Sequence, residues 1–201
     1  MTADQIFKLL KKWEWGTLNK IYGYGHNSII GFITYSWIKE SPNNCVLDGA
    51  PSPHKGHKIK PNRYADALLC INNNPKIAVE IETNVSSYEN KFETLEFYNS
   101  MVDEDFLFSL FYLGNLSNTK SIGKHQWERI KIKAIESKSA FAIVSAEKEK
   151  IHMNLNDKLS LFNQSNYSRW KITKVDCWIK DSNGKQIGKN LWNSSSKVGR
   201  K

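Results

Sequence analysis

Apolar residues near the start of the chain recur at intervals of three and four. Ile6, Leu9, Leu10 and Trp13 fall on one face of a helix, and Thr2 with Gln5 makes a capping box ahead of them. A second apolar segment, SIIGFITYSWIKE, predicts another helix, which Ser41-Pro42-Asn43-Asn44 ends. From Asp48 to Arg63 the pattern breaks into DGAPSPHKGHKIKPNR, whose Gly and Pro content predicts a loop or short hairpin presenting cations.

Periodicity then changes from helical to alternating. Tyr64 to Ile71 reads as a strand, Asn72-Asn73-Asn74-Pro75 as a turn and Lys76 to Glu82 as a second strand, which together predict a hairpin. A helix follows over Tyr88 to Met101, with Phe92, Leu95 and either Tyr88 or Tyr98 turned inward. Further strands are predicted at Phe106 to Leu113, Ala140 to Ala146 and Ile172 to Ile179, the last pairing with a return strand after Asp181-Ser182-Asn183-Gly184. Leu155 to Phe162 reads as a short helix, and the polar, basic residues 193–201 as a mobile tail. This order predicts an α/β fold, a mixed central sheet flanked by helices, in one domain over residues 1–192.

Three acids stand out against this pattern. On the strand Lys76 to Glu82, Ile77, Val79 and Ile81 share one face, and Ala78, Glu80 and Glu82 share the other. Pairing through the Asn-rich turn lets Asp66 project from the same side as the two glutamates. Three carboxylates near a core repel one another unless protonated or neutralised by a cation, and hard oxygen donors suit Mg²⁺ or Mn²⁺. A hairpin with one solvated face would alternate apolar and charged residues in the same way, with no metal implied.

Asp66, a spacer, then Glu80-Ile81-Glu82 ending an apolar strand ahead of a helix, resembles the PD-(D/E)xK nuclease superfamily. In that family an aspartate begins one strand, a (D/E)xK element ends the next, and a lysine holds the third position, which is Glu82 here. The ExE version is similar to certain type II restriction enzymes. Ala65 stands where the family carries proline. The resemblance implies a restriction endonuclease-like fold and Mg²⁺-dependent hydrolysis of DNA phosphodiester bonds, leaving a 5′ phosphate and a 3′ hydroxyl. It further implies that Asp66, Glu80 and Glu82 hold the metal, with Glu82 coordinating a second ion or taking the proton of the attacking water.

Lys91, in the helix after the ExE strand, is a replacement for the displaced lysine, against the alternative of a solvated helix lysine paired with Glu neighbours. Glu40 is a weaker candidate for an additional helix acid facing the metal. An exonuclease-like branch of the family has a glutamine four residues before a tyrosine in this helix. Thr94 precedes Tyr98 here, which argues against that branch.

Charge fits a polyanionic partner: 29 Lys and Arg outnumber 20 Asp and Glu, a formal net charge of +9. Lys55, Lys58, Lys60 and Arg63, with His54 and His57, precede Asp66 and are placed to touch a DNA backbone. The resemblance makes double-stranded DNA the expected partner and implies a homodimer matching a palindromic site, whereas charge alone is equally compatible with a basic protein that binds no nucleic acid. His26, His125 and His152 are too widely spaced to define a metal site, and a single histidine is usually structural. Gly23 and Gly25 lack the preceding strand and third glycine of a dinucleotide fingerprint. Trp13, Trp37 and Trp178 read as core; Trp15, Trp170 and Trp192 are less constrained and lie near Lys or Arg, where one could stack on a base, although core packing is expected for most.

Cys45, Cys70 and Cys177 form no CxxC pair or disulfide framework, which favours a reducing cytoplasm. The N-terminus lacks the apolar core of a signal peptide, and no membrane span is present. Two rival functions remain: a repair or junction-resolving nuclease with the same metal chemistry, and a nucleic-acid-binding module that keeps the fold without catalysis.

Overall fold

A computed structural model describes residues 2–18, 26–47, 64–82, 88–99, 102–112, 124–137, 139–150, 168–180, 183, 185–188 and 190–194. Helix α1 (Ala3–Lys12) starts on the expected capping box: the Thr2 side chain accepts from the Gln5 N–H, and Gln5 Oε1 accepts from the Thr2 N–H. A short helix α2 (Trp15–Leu18) and the long helix α3 (His26–Glu40) follow. Strand β1 (Asn44–Leu47) leads, beyond the intervening residues, to β2 (Ala67–Ile71) and β3 (Asn74–Glu82). Then come α4 (Tyr88–Tyr98), β4 (Glu104–Tyr112), α5 (Lys124–Glu136), β5 (Ala140–Lys150), β6 (Ser168–Lys180), β7 (Gln186–Ile187) and β8 (Trp192–Asn193).

The strands form one mixed sheet in the order β1 to β7, with β8 also paired to β6. β1, β2 and β3 are successively antiparallel. β3, β4 and β5 run parallel, and β6 returns antiparallel to β5. α4 and α5 are the segments between the parallel strands, as a parallel connection requires. The β2–β3 hairpin turns on Asn72 and Asn73, both at positive φ (49° and 62°), a conformation that asparagine tolerates better than most side chains.

Two apolar layers cover the sheet. α1, α2 and α3 pack Ile6, Leu10, Trp15, Ile33 and Trp37 against Leu69, Ile77, Val79 and Ile81. α4 and α5 pack Phe92, Leu95, Tyr98 and Ile130 against Leu68, Cys70, Ala78 and Phe141 on the other side. The inward positions expected of the fourth helix are therefore occupied, by Tyr88 and Tyr98 as well as by Phe92 and Leu95.

Several expectations need correction. Asp66 lies in a bend one residue ahead of β2, not within a strand from Tyr64. α4 ends at Tyr98. α2, β1 and α5 have no counterpart in the sequence reading. Trp15 is core, not a base-stacking surface: it is fully buried and its indole N–H donates to the Leu10 carbonyl at 2.8 Å. Trp192 is half-buried and covers Gly16. The short helix expected at 155–162 lies outside the described residues. Of the mobile tail expected at 193–201, Asn193 in β8 instead pairs with Lys174 and the Ser194 N–H donates to the Thr173 carbonyl, and 195–201 lie outside the described residues. Among the described residues, no helix is long and apolar enough to cross a membrane.

The return strand β7 ends against α1. Gly188 has φ +78°, and a Cβ there would lie 2.1 Å from the Phe7 ring. Gly188→Ala therefore combines a left-handed backbone penalty with displacement of Phe7. We expect a loss of about 2 kcal/mol or more in denaturant unfolding. A loss below about 0.5 kcal/mol would show that the α1–β7 contact is loose.

Candidate active site

Continuing the β2–β3 register by one residue beyond Ala67↔Val79 sets Asp66 opposite Glu80. The two acids are therefore on the α4 side of the sheet. The β2 backbone departs at this point, and the Asp66 side chain replaces it: Oδ2 accepts the Ile81 N–H at 2.7 Å. The segment ahead of Asp66 is held by α4, because the Ala65 N–H donates to Tyr98 Oη at 3.3 Å.

Lys91 reaches back from α4 to both carboxylates. Its Nζ lies 2.6 Å from Glu80 Oε2 and 3.5 Å from Asp66 Oδ2. Lys91 and Tyr98 are seven residues apart, two helical turns, so one face of α4 supplies both contacts. His26, the first residue of α3, brings Nε2 to 3.1 Å from Asp66 Oδ2, while its Nδ1 lies 3.2 Å from Asn27 Oδ1. Three groups from three elements thus converge on one carboxylate oxygen.

Glu80 is the anomalous member. It is 1% exposed, and its Oε2 lies 2.6 Å from the Lys91 ammonium. Burial, and secondarily the neighbouring Asp66, push its carboxyl up to about 8, against the lowering effect of Lys91. Burial works against the charged form of Lys91, yet Glu80, Asp66 and Glu82 together raise its pKa, so it stays an ammonium. With Glu80 protonated, the Lys91 ammonium faces one negative charge fewer.

The expected acids divide accordingly. Asp66, Glu80 and Lys91 are brought together. Glu82 shares the strand face but lies one pleat repeat on, about 7 Å along β3, from where it adds to the field at Lys91. The expected three-carboxylate cluster is therefore not formed. Among the described residues no group of three or more His, Cys, Asp or Glu side chains is arranged to hold a metal ion. Glu40 pairs with Lys12 at 2.9 Å and takes no part in these contacts. Lys55, Lys58, Lys60 and Arg63, with His54 and His57, lie outside the described residues.

Sequence reasoning missed His26, which was set aside as one of three unrelated histidines. Only its place at the start of a helix packing on the sheet would have distinguished it, and that is a tertiary fact.

Asp66 and Glu80, opposite each other in the β2–β3 register, are the two carboxylates that would hold a divalent cation. Magnesium commonly takes only one or two carboxylates, completing its octahedron with water and phosphate oxygens. A cation here would take the place that the Lys91 ammonium now holds beside the buried Glu80 Oε2. No protein-family model, curated protein or solved structure matches the chain.

Glu80 makes stability depend on pH. Its folded value lies above the ordinary 4.5, so between about 4.5 and 8 the folded chain binds a proton that the unfolded chain releases. Its contribution is complete below that window and is lost as pH rises through it. In chelator, Glu80→Gln should therefore gain stability relative to wild type between pH 5 and pH 9, by a few kcal/mol. Denaturation midpoints at several pH values measure this. Parallel curves for the two proteins would mean that Glu80 ionises normally.

Proposed function

We propose that the chain is a metal-dependent phosphodiester hydrolase. Within that class we assign it as a DNA endonuclease of restriction type, with a restriction endonuclease-like fold in an ExE version of the PD-(D/E)xK arrangement. The observation that carries this reading is the meeting of Glu80 and Asp66 around the Lys91 ammonium, at 2.6 and 3.5 Å. The order of elements supports it: an antiparallel hairpin delivers the two acids, and the helix that crosses to the next parallel strand delivers the lysine.

In this reading Asp66 and Glu80 hold Mg²⁺ or Mn²⁺, which when bound supplies charge neutralisation of a phosphate and acidification of a water. Lys91 pivots from the carboxylates toward the phosphoryl oxygens, where its ammonium opposes the negative charge that builds during displacement. Glu82, partly exposed beyond Glu80, accepts the proton of the attacking water. The Ile81 N–H and His26 fix Asp66 in one orientation. The net charge of +9 favours encounter with DNA, the partner we assign.

Cleavage of varied duplex DNA in Mg²⁺ or Mn²⁺ tests the assignment. Asp66→Ala, Glu80→Ala and Lys91→Ala should each lower the rate by roughly 10²-fold or more. Salt-sensitive DNA binding without metal should survive in Asp66→Ala. Equal cleavage by wild type and Asp66→Ala would remove the site. Binding without nicking at any metal concentration would leave a non-catalytic module, and preference for branched over plain duplex substrates would place the enzyme among repair nucleases.

A further inference from the structure

The three cysteines are far apart in sequence, but two are paired by the sheet. Cys45 on the edge strand β1 is the direct register partner of Cys70 on β2. Both side chains lie on the α4 side, Cys70 within the apolar layer and Cys45 packed against it. The Asn72 N–H donates to the Asn43 carbonyl at 2.9 Å, on the same register, so residues 43 and 72 form a hydrogen-bonded pair. Such pairs alternate along an antiparallel ladder, which makes Cys45–Cys70 a hydrogen-bonded pair as well. The Cα separation in such a pair is about 5.5 Å, inside the range of roughly 4.4 to 6.8 Å that a disulfide spans.

We propose that Cys45 and Cys70 are a reversible oxidation site that closes to a cross-strand disulfide. The two thiols differ in access. Cys45 is half-buried at the sheet edge, with Sγ donating to Asn73 Oδ1 at 3.3 Å. Cys70 is fully buried, with Sγ directed to the Leu68 carbonyl at 3.5 Å. Burial, with Cys45 as the next contributor, raises the Cys70 thiol to about 11, so it is a poor first nucleophile.

A hydroperoxide therefore meets Cys45 first. The Cys45 thiolate attacks the peroxide oxygen, the O–O bond breaks, and Cys45 sulfenic acid forms with release of hydroxide or alkoxide, which takes up the thiol proton. The Cys70 sulfur then attacks the sulfenic sulfur, the S–O bond breaks, and water leaves with the Cys70 proton. Two thiols are oxidised by two electrons, and one hydroperoxide is reduced. A hydrogen-bonded strand pair holds its side chains farther apart than a non-hydrogen-bonded one, so the bond forms under strain and is readily reduced. Cys177, fully buried on β6 opposite Ala142, has no such partner in register.

The full-length protein treated with a small molar excess of hydrogen peroxide, then digested without reductant and mapped by mass spectrometry, tests this. The expected result is a Cys45–Cys70 linked peptide two hydrogens lighter than its parts, Cys177 still a thiol, and full reversal by dithiothreitol. Cys45→Ser should abolish the link and leave Cys70 unmodified. Accumulation of Cys45 sulfinic acid beside an intact Cys70 thiol, or a link to Cys177 or to a second chain, would overturn the proposal. The mapping on unsubstituted protein stands whatever the variant does.

Discussion

A carboxyl group 1% exposed on an interior strand of a sheet cannot remain an isolated anion, because removing its charge from water costs several kcal/mol at least. Glu80 meets this constraint in two ways. It takes a proton more readily than a solvated glutamate, and Lys91 comes within 2.6 Å of it. The second condition organises much of the local structure. Lys91 can reach Glu80 only if α4 packs on this face of the sheet, and α4 is held there by Phe92, Leu95 and Tyr98, all buried against Leu68, Cys70 and Ala78. The apolar layer and the ion pair therefore depend on each other.

The same helix controls Asp66 from two positions. Tyr98 binds the backbone of Ala65, and Lys91 binds the Asp66 side chain. Between them the chain leaves β-geometry, and the Asp66 carboxylate takes over the acceptor role that the β2 backbone relinquishes, at 2.7 Å from the Ile81 N–H. A short, charge-assisted bond of this kind fixes the carboxylate more firmly than solvent could. Asp66 thus meets a structural demand of the sheet and a chemical demand of the proposed reaction with one group. Replacing it would disturb both, which is why metal-free DNA binding by the Asp66 variant carries information that loss of cleavage alone does not.

Much of this arrangement was legible because β-structure has a period of two. Alternation alone placed Glu80 and Glu82 on one face, and the turn Asn72-Asn73 supplied the pairing that set Asp66 opposite Glu80. Lys91 was identified from resemblance, since helical position cannot reveal whether a lysine turns to solvent or back to a strand. What could not be read required tertiary information. His26 approaches Asp66 across forty residues of sequence, and the β1 partner of Cys70 is a four-residue strand with no alternating signal. The fifth helix was hidden for another reason: Ile132 and Ile135 are half-exposed, so its apolar residues do not lie on one face. Trp15 could not be assigned from sequence alone, because proximity to charge along the chain says little about a ring whose neighbours are Trp13 and Phe32.

The lysine position has a chemical consequence for the ExE version of the site. A lysine two residues after Glu80 would project from β3 itself, parallel to the acid and fixed by the strand. Lys91 approaches from the opposing layer on a flexible stem, with its ammonium between the two acids. Any cation bound by Asp66 and Glu80 competes with that ammonium and with the proton on Glu80, so metal affinity, Lys91 orientation and Glu80 ionisation form one coupled equilibrium. In the proposed reaction, raising pH would remove the proton and favour the metal, and moving Lys91 toward a phosphate would remove the ammonium and favour it again. In the proposed reaction substrate and metal would then be mutually reinforcing ligands, each clearing the position the other needs.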